Sequence, residues 1–282
     1  PYYQDNSTGE SIPSTKILLE KISKSVDENI GDDDILSLSS GKDSTSILLG
    51  LAECGKKIDT FTYKSTNKSD ETEYTSIITK KYGFKNIILE LKEDSSFFTR
   101  NFDEFYSTIN FPSVDQAQLS YLNFDKIIFS DKNIVDGSGS DIYIGHIPTK
   151  EQYYLNYFSL VNFSNRFISK QHKNNFPKNK AQGFLYKSIS ANNGLYTWFT
   201  LPEINSFFEE GFDTSNFWKS YENEYSNRSN YVDYRAMTRG RFLDSEVFMR
   251  KIRNVAYNSN SNVVFPWLDN DLISYWFNLP VK

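Results

Sequence analysis

The chain has 282 residues and a mass of 32.8 kDa, enough to bury a substantial core as one large domain or two small ones. Its formal net charge of −5 leaves no basic excess for neutralising phosphates, which argues against a nucleic-acid binder. One cysteine, Cys54, and two histidines, His146 and His172, exclude an internal disulfide framework and a Cys- or His-rich metal centre and fit a reducing cytosol.

Along the chain, helix and strand signals alternate in the first half, the pattern of a parallel sheet covered by helices. Ser14 follows Pro13 and is placed to cap a helix whose Leu18, Ile22 and Val26 share one face. Residues 35–38 read as a short buried strand, and residues 44–54 as a helix stopped by Gly55. A second strand is expected over 58–63. Asp70, with Glu73 three residues on, suggests a capped helix running to Tyr82 and closed by Gly83. Residues 87–91 read as a third strand, 117–129 as a helix, and 133–135 as a fourth short strand. Four strands joined by helices imply right-handed crossovers and a doubly wound parallel sheet. From about Gly145 the chain turns rich in Tyr, Phe, Asn and Ser and is expected to be mainly helical. No apolar run approaches the length of a membrane span, and no signal peptide opens the sequence.

The strongest chemical signal lies between the first strand and its helix, in Ser39-Ser40-Gly41-Lys42-Asp43-Ser44-Thr45. A strand-to-helix turn aims backbone N–H groups and the positive helix end at one spot, which favours an anion. Gly41 lets backbone approach a phosphate, Ser39 and Ser44 bring hydroxyls, and Asp43 suits the magnesium that accompanies nucleotide phosphates. Two other glycine patterns lack the right context. Gly50-x4-Gly55-Lys56-Lys57 falls at a helix end and lacks the closing Ser/Thr of a P-loop. Gly137-x-Gly139 has Ile142 where a dinucleotide fingerprint has its third glycine.

A second loop, Val135-Asp136-Gly137-Ser138-Gly139-Ser140-Asp141, again sets small residues beside a carboxylate after a strand. By itself it reads better as a flexible turn. A parallel sheet, however, gathers the C-terminal ends of its strands, where ligands bind, so Asp43 and Asp141 are candidates to hold one magnesium from opposite sides.

The first loop resembles the SGGxDS loop of the PP-loop ATP pyrophosphatases, with Ser40 at the first glycine. The second is similar to the SGEGxDE segment of the synthetase domain of glutamine-dependent asparagine synthetases and β-lactam synthetases. A third match is Phe265-Pro266-Trp267-Leu268-Asp269 with Leu279-Pro280, similar to that family's "PFLD…LP". The resemblance spans roughly residues 14–282. It implies an α/β PP-loop domain over 14–145 and a helical part over 146–282 that completes the synthetase domain and continues past Lys282, where the family's catalytic lysine would follow. Residues 1–13 would be a linker from a glutaminase-like domain.

The resemblance further implies ATP and Mg2+ as cofactors. Leu38, Ser39, Ser40, Gly41, Lys42, Asp43, Ser44, Tyr63, Gly137, Ser138 and Gly139 would bind ATP and pyrophosphate, Asp43 and Asp141 would hold the metal, and adenine would lie along the second strand near Thr60 and Tyr63. A small-molecule or peptide carboxylate would attack the α-phosphorus, and ammonia or an amine would then attack the acyl-adenylate. A glutaminase domain or subunit is a possible ammonia source, and neither membrane nor nucleic acid is expected as a partner. The family's two glutamates in the second segment are replaced by Ser138 and Ile142, which puts asparagine as product in doubt and leaves ring-closing chemistry open. Glu246, on a helix expected over 244–256, reads first as a surface carboxylate spaced i,i+4 from Arg250, and is also the nearest match for a catalytic glutamate. Asp70, Glu71 and Asp115 stand at candidate substrate positions and are as well explained as caps or turn residues. Two further alternatives are transfer chemistry on tRNA or sulfur, disfavoured by the single cysteine and acidic balance, and a degenerate homologue that only binds nucleotide or protein.

Overall fold

The computed structural model describes residues 13–64, 70–90, 132–143 and 248–279, with the single positions 103, 106, 107 and 180. The chain divides into two compact units, Pro1–Ile144 with Phe242–Lys282, and Gly145–Arg241. Every element described below belongs to the first unit.

Ser14 opens the first helix, α1 (Thr15–Asn29): its backbone is extended and its hydroxyl accepts from the Ile17 N–H at 3.3 Å. Such a cap satisfies one of the first-turn donors and contributes about 1 kcal/mol. Ile22 and Val26 on its inner face are buried. Strand β1 (Ile35–Ser37) leads through the glycine-containing loop into α2 (Lys42–Cys54), which ends at Gly55 in a left-handed conformation, φ 79°. Then follow β2 (Asp59–Lys64), α3 (Thr72–Tyr82) and β3 (Asn86–Glu90). Gly83 closes α3 with φ 71°, so both glycine stops act where a side chain would be strained. The helix start departs from the expected capping box. Glu71 takes the cap position without a side-chain bond, while Asp70 accepts from the Thr72 N–H at 3.1 Å and from its hydroxyl.

Strand β4 (Ile134–Val135) and the short α4 (Ser140–Tyr143) carry the second loop between them. Near the end lie α5 (Arg250–Asn258), a fifth strand β5 (Val263–Val264), a 3-10 turn at Pro266–Leu268 and α6 (Asn270–Phe277). The strand order is β3-β2-β1-β4-β5, parallel at every pairing. The sequence pattern predicts four strands, and the sheet has five. The fifth is two residues long and declares itself only through the ladder, in which Ile134 N donates to Asn262 O and Asp136 N to Val264 O.

Strand alternation sends Leu36 and Val135 to one side of the sheet and Ile35 and Ile134 to the other. On the first side they pack with Ile22, Val26, Ile47, Leu48 and Leu51 of α1 and α2, together with Trp267 and Leu272. The opposite side meets Ile252, Val255 and Ala256 of α5. Helices therefore cover both faces, as a doubly wound sheet requires. The mainly helical character expected after Gly145, and the helix expected over 117–129, lie outside the described residues.

Candidate functional site

The order β3-β2-β1-β4-β5 reverses direction between β1 and β4. The chain leaves β1 toward β2 on one side, and β4 toward β5 on the other. The loops after β1 and β4 lie at that reversal point, where ligands of open α/β sheets bind. Both candidate loops follow these two strands.

The first loop is shaped by its own serines. Ser39 Oγ and Ser44 Oγ stand 2.9 Å apart, Ser44 Oγ accepts from Ser39 N–H at 3.1 Å, and Ser39 Oγ accepts from Gly41 N–H at 3.1 Å. Ser44 is buried, so its hydroxyl serves chiefly to bend the chain from strand into helix. Gly41 sits at the cap of α2 and offers no side chain to its first turn. A helix start presents backbone N–H groups and the positive end of the helix, both of which favour negative charge nearby. Ser40, Gly41 and Lys42 are exposed, and Asp43 in the first turn is half-buried.

The second loop rests on the first. A β-carbon built on Gly137 would stand 2.7 Å from the Ser44 nitrogen and 2.8 Å from its α-carbon. Only glycine allows that approach. Asp136, buried at the end of β4, accepts from the Ser138 N–H at 2.8 Å and folds the loop back on itself. Gly139 has φ 113°, and a β-carbon there would meet Leu268 Cδ2 at 3.0 Å. Asp141 follows in α4, half-buried.

The third segment joins the same place. Pro266 starts the 3-10 turn after β5, and its carbonyl accepts from the buried Ser25 hydroxyl of α1 at 2.9 Å. Trp267, 5% exposed, donates its indole N–H to the Asp43 carbonyl at 3.2 Å. Asp269 caps α6 by accepting from the Asp271 and Leu272 N–H groups. From the other side, Ser40 Oγ donates to Glu71 Oε1 at 2.6 Å, so the start of α3 also borders the first loop.

Leu38, Ser39, Ser40, Gly41, Lys42, Asp43 and Ser44 thus form one continuous strand-to-helix turn, with Gly137 against it and Ser138 and Gly139 next in chain. Leu38 extends the ladder, donating its N–H to Phe61 O at 2.8 Å, while its carbonyl accepts from the Thr62 hydroxyl at 3.0 Å. Tyr63 lies on β2, half-buried. Asp43 and Asp141 come from the two touching loops. Two carboxylates could contribute to holding a phosphate-borne magnesium; among the described residues no group of three or more His, Cys, Asp or Glu is placed to hold a metal ion. Glu246 and Asp115 lie outside the described residues. Two contributors carried no sequence signal: Asp136, readable only as one more small loop residue, and the Trp267 N–H, whose partner is 224 positions away.

A family model described as asparagine synthase matches residues 20–282. No curated protein matches the chain. Among the described residues no helix is long and apolar enough to cross a membrane.

Proposed function

The chain belongs to the asparagine synthase family, and from that premise we propose that it joins a carboxylate to a nitrogen nucleophile by way of an acyl-adenylate. Membership supports an ATP-dependent, amide-bond-forming synthetase in general. The observation that carries the finer reading is the seat of Gly137 on the Ser44 backbone, which unites the two glycine loops at the reversal point of the sheet.

In this reading the first turn of α2 and the Ser39–Gly41 backbone bind the β- and γ-phosphates. Leu38 and Tyr63 border the adenosine, and Gly137, Ser138 and Gly139 close over the phosphates from the β4 side. Asp43 and Asp141 would hold magnesium, which neutralises charge on the departing pyrophosphate. The substrate carboxylate oxygen forms a bond to the α-phosphorus as the bond to pyrophosphate breaks. The nitrogen then bonds to the acyl carbon, AMP leaves with the carboxylate oxygen, and the nitrogen gives up a proton. Glu246 is the candidate to accept it.

Ring closure is the second reading, favoured by Ile142. This residue stands where the family segment has a glutamate and is 4% exposed, so the position serves packing and carries no charge. A substrate bearing its own amine would then lose one water, whereas ammonia would exchange a hydroxyl for an amino group. Incubation with Mg·ATP and a panel of amino and peptide acids, followed by mass spectrometry, tests both. AMP and pyrophosphate appearing in step with either product support the proposal. ADP and phosphate as products would contradict it.

A further inference from the structure

We infer that Trp267 is a positioning residue for the phosphate-binding turn, acting through its indole N–H on Asp43; this rests on the nucleotide reading above and adds to it a residue that touches no substrate. The indole donates at 3.2 Å to the carbonyl of Asp43, within the first turn of α2 and on the very residue proposed to hold magnesium. Its neighbour Leu268 packs on Gly139, where a β-carbon would meet Leu268 Cδ2 at 3.0 Å and Trp267 Cβ at 3.4 Å. Two consecutive side chains of one 3-10 turn therefore grip both loops, one by a hydrogen bond and one by contact.

The turn that presents them is itself fixed from three directions. Its start follows β5, which is paired to β4. The Pro266 carbonyl is held by the Ser25 hydroxyl of α1. Its end is the capped start of α6, where Asp269 accepts two backbone N–H groups. A donor mounted on so constrained a turn sets the rotation of the α2 start relative to β4.

Filling the core is a separate task. The Trp267 ring packs with buried residues of α1, α2 and α6, a role set by its size and shape. A phenylalanine, the residue of the similar family segment, would fill most of that space without the donor. Tryptophan exceeds phenylalanine both in ring size and in its N–H, and it is the N–H that reaches the Asp43 carbonyl.

The test compares unaltered protein with W267F by calorimetric titration with Mg·ATP, Mg·pyrophosphate and AMP, alongside thermal unfolding. Loss of one neutral hydrogen bond at a positioned turn is expected to weaken Mg·ATP and Mg·pyrophosphate about 3- to 10-fold. AMP affinity should stay within about 2-fold, because AMP does not fill the β,γ-phosphate site, a contrast that general loss of packing would not give. In the unaltered protein, the indole N–H resonance of Trp267, assigned from single Trp→Phe variants, should shift with Mg·pyrophosphate and not with AMP. Equal affinities for W267F and the unaltered protein, or an indole resonance indifferent to pyrophosphate, would overturn the inference alone. Failure of the unaltered protein to bind Mg·ATP at all would overturn the nucleotide reading and this inference with it.

Discussion

Gly137 lies so close to Ser44 that a β-carbon would stand 2.7 Å from the Ser44 nitrogen. The obstacle is backbone on both sides, so neither loop can yield by a change of rotamer. G137A should therefore force the loops after β1 and β4 apart. The expected loss is about 1–3 kcal/mol of stability, measured by urea unfolding, together with weaker Mg·ATP binding. Wild-type stability in G137A would show that the loops part freely.

Two other glycines separate crowding from backbone strain. Gly55 and Gly139 both have positive φ, 79° and 113°, but nothing lies within 4 Å of a β-carbon at Gly55, whereas Leu268 and Trp267 crowd one at Gly139. G55A should cost about 1 kcal/mol, the penalty for a left-handed alanine. G139A adds the steric term and should cost more, about 2–4 kcal/mol in all. Denaturant midpoints of the two variants check the order.

The helices at the two ends of the described unit are joined by charge. Lys24 of α1 meets Asp271 of α6 at 2.5 Å. Hydrogen bonding and charge from Lys24 hold the Asp271 carboxyl below its usual range, and Asp271 in turn raises Lys24. The depressed carboxyl contributes stability above the ordinary aspartate pKa, about 3.9, and that contribution fades as pH falls through the lowered folded value. The raised lysine contributes below its ordinary value, about 10.4, and loses this as pH rises through the raised one. Both groups are well exposed, so the effect is small and screened by salt. D271N should flatten the acid limb of the stability profile between pH about 4 and the acid end, and 1 M NaCl should narrow the gap between D271N and unaltered protein. An unchanged acid limb would show that the pair does not persist in solution.

Much of this fold was legible in the residues. Ser14, Gly55 and Gly83 mark helix ends because their chemistry is local: a hydroxyl that caps, and two backbones free to take positive φ. The inward face of α1 and the strand-to-helix setting of the first loop follow from short-range periodicity in the same way. Strand limits moved by a residue or so, since ladder partners define them. Strand β5 escaped because two valines carry no pattern, and its pairing with β4 closes over more than 120 intervening residues, Ile134 to Val263. The bond from Trp267 to Asp43 escaped for the same reason. The Ser39–Ser44 bond was partly legible, in that both serines were expected at the phosphate turn, but their mutual engagement depends on the tightness of the turn. What stays local in the chain can be read there, and what depends on which strand lies beside which cannot.

The most direct test of the central claim is titration of the protein with ATP in the presence and absence of Mg2+, beside D43A and D141A. Metal-dependent binding by the unaltered protein is expected, weakened at least about 10-fold in each variant, since each would remove one carboxylate from the proposed shared magnesium. Binding that is indifferent to magnesium, or retained at full strength in both variants, would contradict a phosphate site built from the two loops.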